Sequence, residues 1–380
     1  MSKAIKQTFL QGASNKIRSI RDAALRRAEI IWLIAEYLSL YGWKKNGERE
    51  RPTAENIIIV GGELLNKGAQ AMTFTTVDQL KRNFPDKNIY LFSVYDSHTQ
   101  NSKGINYTFK IARWDWKIKS SIFNSLRRPL TSNDREKVKG LTEIIKNTSF
   151  FVDISGYAIS SQWGLLRSVN YLLNIMIAKK FSVPYYIFPQ SIGPFNYRLR
   201  DRIFLSSILM KSCLRYPEKI YAREEEGLRA IQKFTTHNAE KGLDIVLSND
   251  TYKLSHIYAC HTGLREIKVE PNATGIIPNT KVTEWANQKN IFALYKLLIT
   301  QLLSTRKTVY ILRHSHEDLK VCEQIKDLFP DNTNVRLLSD DFNAIELEGI
   351  IKQFDFIIAS RYHSIIHAYR HGVPVLAIGW

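Results

Sequence analysis

Cysteine is scarce in this chain: Cys213, Cys260 and Cys322 are the three in 380 residues, far apart and with no CxxC pair. That argues against a disulfide framework or a zinc ribbon and fits a reducing compartment. Proline (11) and glycine (18) are too few for a collagen-like or low-complexity chain. The metal-binding spacings are missing as well: there is no Asp-x-Asp triplet, no HExxH and no paired Cys/His set, so no metal site is expected. No Gly-x-Ser-x-Gly elbow occurs, which disfavours an α/β-hydrolase. Acidic residues are in deficit, with 36 Asp and Glu against 54 Lys and Arg, for a net charge of +18. Such a charge favours anionic partners: phosphorylated metabolites, acidic glycans, nucleic acid or an anionic membrane face. It does not choose among them.

Long apolar runs are absent from the N-terminal region. Ile30–Ala35 is bracketed by Glu29 and Glu36, far short of the ~20 residues that cross a bilayer and too broken for a signal peptide. Residues 16–43 read as one or two amphipathic helices carrying Trp32, Tyr37, Tyr41 and Trp43, and the first 51 residues hold eleven Lys and Arg against five Asp and Glu. Such a segment can pack on the body of the protein or rest on the inner leaflet of a membrane. Lys44–Pro52 reads as a linker.

What the chain does have is alternation. Apolar strands are expected at Ile57–Val60, Ile89–Val94, Phe150–Ile154, Pro184–Phe188, Lys219–Ala222 and Leu243–Leu247. A second series follows at Thr274–Ile277, Thr308–Leu312, Val335–Leu338, Phe354–Ala359 and Val373–Ile378. Helix-period stretches lie between them, such as Ala69–Phe84, Leu165–Phe181, Leu199–Ser212, Glu224–Phe234, Trp285–Ser304 and His316–Leu328. This pattern means an α/β protein with parallel sheets covered on both faces. At roughly 150 residues per domain, two Rossmann-like domains are expected, 53–262 and 263–380, after an N-terminal helical extension over 1–52. The seam falls near 250–272, and His237–Lys241 reads as a loop. The closing Val373–Trp380 reads as a buried strand with no helix to cover it, as expected of a chain cut before its last helices.

Ligands of open parallel sheets bind beyond the carboxyl ends of the strands, and those ends are polar here. After the first strand comes Gly61-Gly62-Glu63-Leu64-Leu65-Asn66-Lys67-Gly68-Ala69-Gln70-Ala71, which is neither GxGxxG nor a Walker loop. Its glycines allow close backbone approach and its helix start offers N–H groups, although a simple capped turn would read the same. Asp153 ends an apolar strand and must be paired or face a cleft. Gln190-Ser191 followed by Ile192-Gly193-Pro194 makes a rigid loop with donors and acceptors. Arg223 opens a helix against the dipole trend, so either an anion or the adjacent glutamates occupy it. Arg313, His314 and Ser315 follow another strand. With Ser360 as N-cap, Arg361, Tyr362 and His363 fall in the first turn of the last helix, which Gly372 closes; this converges on an anion site.

In this order, Asn66-Lys67-Gly68-Ala69-Gln70-Ala71, Asp153-Ile154-Ser155-Gly156, Gln190-Ser191-Ile192-Gly193-Pro194, Ala222-Arg223-Glu224 and Arg361-Tyr362-His363 resemble the signatures of polysaccharide pyruvyltransferases. The likeness runs from about residue 57 to the end; Tyr157 departs from it, standing where many members have a further glycine. The resemblance implies a GT-B-like fold, phosphoenolpyruvate as donor and a sugar diol of a polysaccharide or lipid-linked oligosaccharide as acceptor, as in exopolysaccharide synthesis. It implies no cofactor, no nucleic-acid partner and a cytoplasmic protein; the option of peripheral inner-membrane contact comes from the amphipathic segment, which lies outside the likeness. It assigns donor contacts to Arg223, Arg361, Tyr362 and His363. His363 is then the first candidate for phosphate ligand or proton donor, and Asp153 the candidate base. Asn66, Gly68, Gln190, Ser191 and His314 are expected to orient donor or sugar. Two alternatives remain open at this stage: a metal-independent GT-B glycosyltransferase using a nucleotide sugar, and a basic glycan-binding protein. Aromatic residues interleaved with basic ones occur at Ala112–Lys117, where a surface loop or helix start reads equally well.

Overall fold

The computed structural model describes residues 28–42, 53–96, 105–124, 130–199, 202–260 and 263–379. Residues 1–27 and 43–52, which include Trp43 and the expected linker Lys44–Pro52, lie outside them. Two parallel sheets organise the chain, with strand orders β3-β2-β1-β4-β5-β6-β7 and β10-β9-β8-β11-β12.

The first sheet contains β1 (Asn56–Val60), β2 (Asn88–Ser93), β3 (Lys110–Arg113), β4 (Thr148–Asp153), β5 (Tyr185–Gln190), β6 (Lys219–Ala222) and β7 (Ala239–Lys241). Every residue of β1 is buried, as its Asn-Ile-Ile-Ile-Val sequence requires of a central parallel strand covered on both faces. The second sheet contains β8 (Ala273–Ile277), β9 (Thr308–Leu312), β10 (Val335–Leu338), β11 (Phe356–Ala359) and the edge strand β12 (Val375–Ala377). In both sheets the order reverses beside the first strand, between β1 and β4 and between β8 and β11. Those switch points are where such sheets leave a crevice.

Three expectations need correction. Leu243–Leu247 is not a strand: Asp244 accepts from Val246 N (3.0 Å) and starts the 3-10 turn Ile245–Ser248. The last strand of the first sheet is instead Ala239–Lys241, inside the segment read as a loop; its three polar-flanked residues give no apolar signal. Ser360 is not the N-cap of the last helix. Arg361 occupies that position, and Ser360 Oγ lies 3.3 Å from Tyr295 OH.

Among the described residues, 28–42 form a helix (α1) that closes in a π-helical turn at Leu38–Gly42. Its inner face, Ile30, Leu33, Ile34 and Tyr37, joins the core cluster of the first sheet, while Ile31, Trp32 and Leu40 face outward. No helix among the described residues is long and apolar enough to cross a membrane. Trp114, at the aromatic–basic stretch, is buried against Phe92 (ring centroids 4.6 Å) and donates to Asn174 Oδ1 (3.0 Å), so it offers no platform to a base.

The two sheets meet through helices. From the first comes α2 (Lys67–Asn83) and from the second α11 (Ala344–Ile351) and α12 (Tyr362–Arg370). Ala344 and Ile366 are buried in one cluster with Ala71, Phe74 and Ile245. Gln70 Oε1 accepts from Ala344 N (2.7 Å), and Lys67 Nζ pairs with Asp341 (2.8 Å). The Arg370 guanidinium lies 4.9 Å from the Tyr252 ring centroid. Burying each large apolar side chain stabilises by roughly 1.5–3 kcal/mol, so this contact fixes the helices of the second sheet against α2 of the first.

Candidate active site

The strand-end loops surround a cleft of about 890 Å³, whose walls include Asn66, Ser191, Arg223, Tyr362 and His363. Backbone geometry makes room for it. Gly61 and Gly156 have positive φ (77° and 65°), and a Cβ on Gly61 would meet Ser155 Oγ at 2.1 Å. Asn66 caps α2, accepting from Gly68 N (3.0 Å) and Ala69 N (3.3 Å). Gly68 has a steric duty: its Cβ would stand 2.2 Å from His363 Nδ1. A glycine in the first turn of α2 thus admits an imidazole from the first turn of α12.

Arg223 holds the centre. Its Nη1 pairs with Asp244 Oδ2 (2.5 Å), and its Nη2 donates to Gly156 O and Ser191 Oγ (both 2.9 Å). Ser191 Oγ also donates to Glu224 Oε1 (2.7 Å). The guanidinium lies 4.5 Å from the Tyr362 ring centroid, a cation–π contact between residues that follow strands of the two different sheets. His363 Nε2 is 3.9 Å from Asp244 Oδ2. Two buried donor positions remain without a hydrogen-bond partner here, Arg223 Nε and His363 Nε2. Burial lowers the His363 pKa from 6.5 to about 4, opposed by Asp244 and assisted by Arg223 and His367. Burial raises the Tyr362 hydroxyl to about 12.

The remaining candidates lie behind this wall. Arg361 is not part of the cleft lining; its Nε and Nη2 bind Asp318 (2.8 and 2.5 Å) and its Nη2 binds Glu317 (2.5 Å). It anchors the start of α12 to the buried carboxylate of Asp318. Asp153 is fully buried: Oδ1 accepts from Ser155 N (3.0 Å) and Ser155 Oγ (2.5 Å), and Oδ2 from Tyr185 OH (2.6 Å). It shapes the Ser155 loop and is not brought to the cleft surface. Gln190 is buried beside Tyr171. His314 is buried, and burial followed by His367, Arg361, His363 and Lys67 holds its pKa far below 6.5.

Several residues in or directly behind the cleft wall were not singled out by sequence. Asp244 was hidden by the mistaken strand assignment, although it follows a strand end like the others. Glu63 lines the cleft, and burial followed by Asp96 raises its pKa. Arg229 and Lys233, one and two turns into the helix after Arg223, add cationic side chains to the wall. No group of His, Cys, Asp and Glu suited to a metal ion occurs among the described residues.

A family model for polysaccharide pyruvyl transferase matches residues 66–380. The chain belongs to the polysaccharide pyruvyl transferase family. It is therefore a transferase of polysaccharide biosynthesis, and the matched span takes in every sequence-derived candidate. No curated protein matches the sequence. Solved structures share the fold at low identity. The UDP-GlcNAc 2-epimerase of Methanocaldococcus jannaschii aligns at 10% identity and TM-score 0.52, over 85% of this chain and 82% of its own. A putative UDP-N-acetylglucosamine 2-epimerase of Listeria monocytogenes aligns at 9% and 0.52, over 85% and 78%. The UDP-GlcNAc 2-epimerase of Neisseria meningitidis, bound to UDP-GlcNAc, aligns at 12% and 0.51, over 85% and 82%. Likeness at this identity establishes the GT-B-like fold.

Proposed function

We propose that the protein transfers the pyruvyl group of phosphoenolpyruvate to two hydroxyls of one sugar in a polysaccharide or its lipid-linked precursor, forming a ketal and releasing phosphate. The observation that carries this reading is one cleft walled by Arg223 from the first sheet's side and by His363 from the second's, with Arg223 Nε and His363 Nε2 buried in that wall, each 3.9 Å from a carboxylate and without a hydrogen bond. Phosphoenolpyruvate carries a phosphate and a carboxylate, and a small multiply charged anion needs several fixed donors. Arg223 and His363 supply two, and Arg229 and Lys233 add positive charge on the wall.

The chemistry requires a proton on the enol methylene carbon, which leaves an oxocarbenium-like centre. One sugar hydroxyl adds to that centre, the bond to phosphate breaks, and the second hydroxyl closes the ring. Of the two hydroxyl protons, one replaces the proton taken up by the methylene and the other leaves with phosphate. A positioned acid/base contributes typically 10²–10⁴-fold to such steps. His363 is the proposed group. Its imidazole is neutral in the free cleft, and an adjacent phosphate would favour the protonated form that can donate. Arg361 and Asp153 act as positioning residues for the α12 start and the Ser155 loop.

Incubating the protein with phosphoenolpyruvate and an oligosaccharide fraction tests the reaction directly. The expected result is phosphate release that depends on the acceptor, with a new ketal methyl signal in the NMR spectrum. Turnover of a nucleotide sugar without phosphoenolpyruvate would replace this reading with that of a glycosyltransferase. The outward Ile31, Trp32 and Leu40, with the basic residues before them, support a peripheral contact with an anionic inner leaflet. Vesicle flotation with and without residues 1–52 measures it; equal partitioning would remove the membrane contact.

A further inference from the structure

A second cavity of about 300 Å³ adjoins the cleft, with Gly61, Glu63, Ser155 and Tyr157 lining both. Its volume sits at the lower end of the roughly 300–1,000 Å³ of small-ligand clefts. Its other walls are aromatic. Tyr95 is 61% and Trp163 39% exposed, a large apolar outlay for loop residues. Tyr157 meets Trp163 edge to face (5.5 Å), and the Arg167 guanidinium lies 5.1 Å from the Trp163 ring centroid. The inner end is polar. Asn170 Oδ1 is buried there with no hydrogen-bond partner. Lys119 is buried beside it, donating to Asn170 O (3.0 Å) and Asn174 Oδ1 (3.2 Å); burial, opposed by Asp153 and Asp115, lowers its pKa to about 7, so the third position on Nζ carries a hydrogen or a lone pair.

Aromatic side chains that stay partly in water, lining one cavity with a buried acceptor that lacks a donor, describe a half-finished binding site. A pyranose completes both halves. Its C–H face covers electron-rich rings, and its hydroxyls, each donor and acceptor, can donate to Asn170 Oδ1 and bond Lys119 Nζ in either protonation state. We propose that this cavity is the acceptor site: one pyranose of the polysaccharide stacks on Tyr95 and Trp163, hydrogen-bonds Asn170 and Lys119, and presents its diol past Glu63 to the main cleft. The inference rests on the main cleft being the donor site.

Saturation-transfer NMR with the methyl glycosides of glucose, galactose, mannose, N-acetylglucosamine and glucuronic acid tests it on the full chain. At least one glycoside is expected to receive saturation on its ring C–H protons. That signal should fall at least fivefold in Tyr95→Ala and in Trp163→Ala, and return in Trp163→Phe, which keeps a ring. Phosphoenolpyruvate affinity should be unchanged in all three variants. No signal from any glycoside, or a signal indifferent to both alanine variants, overturns the proposal. Loss of phosphoenolpyruvate binding in the wild type, with glycoside binding intact, instead overturns the donor reading and leaves the sugar site standing.

Discussion

A methyl group added at Gly68 would stand 2.2 Å from Nδ1, 2.6 Å from Cγ and 2.9 Å from Cε1 of His363. All three distances are far inside van der Waals contact, and the obstacle is a ring, which cannot bend away. Gly68→Ala therefore has two outcomes open to it. The imidazole can leave its rotamer, at about 0.5–1.5 kcal/mol. Alternatively α2 and α12 can part, which overpacks the seam at about 1–3 kcal/mol. Either way His363 Nε2 loses its place opposite Arg223, and a displacement of about 1 Å in a reacting group costs on the order of 10²-fold in rate. Calorimetric titration with phosphoenolpyruvate reads the effect, with at least tenfold weaker binding expected and urea unfolding reporting a loss of about 1–3 kcal/mol. Gly140→Ala is the control, since nothing lies within 4 Å of its Cβ position on an exposed helix face; it should be neutral or stabilising by about 0.4–1 kcal/mol. Wild-type donor affinity and stability in Gly68→Ala would refute the placement of His363.

Burial keeps His363 neutral, with its pKa lowered from 6.5 to about 4. The unfolded chain binds that proton first, so this contribution is intact above pH 6.5 and is lost as pH falls towards 4, by about 3 kcal/mol in all; urea midpoints between pH 7.5 and 4 should flatten in His363→Asn. An anionic donor stabilises the imidazolium, so phosphoenolpyruvate binding near pH 6 should take up a proton, visible as a heat that varies with buffer ionisation enthalpy. Arg223→Ala leaves Asp244 buried without its pair and should cost about 3–5 kcal/mol, whereas Arg223→Lys should retain more stability than donor affinity. Gln70→Ala strands the buried Ala344 N–H, an expected loss of about 1–3 kcal/mol in urea unfolding.

The apolar strands were legible because a buried parallel strand is a continuous run, as at Ile57–Val60 and Thr308–Leu312. The short β3 and β7 were not, since Lys110–Arg113 and Ala239–Lys241 draw their stability from neighbouring strands rather than from their own hydrophobicity. Motif residues at strand ends could be found, but not the direction of their side chains. Arg361 and Arg223 look equivalent in sequence; Asp318, 43 positions before Arg361, holds one guanidinium behind the cleft, whereas Asp244 holds the other in the cleft wall. Asp153 likewise met its partner Tyr185 only in the folded sheet. The aromatics of the second cavity gave no sequence signal as a group, because Tyr95 follows β2 while Tyr157 and Trp163 lie more than 60 positions later in the connection after β4.

The most direct test of the central claim is calorimetric titration of phosphoenolpyruvate into the wild-type protein, Arg223→Lys and His363→Ala, with UDP-GlcNAc titrated in parallel. Saturable one-to-one binding of phosphoenolpyruvate, weakened at least tenfold in each variant and unmatched by UDP-GlcNAc, is the predicted result. Affinity for phosphoenolpyruvate that survives both substitutions, or wild-type protein that binds UDP-GlcNAc and ignores phosphoenolpyruvate, would contradict it.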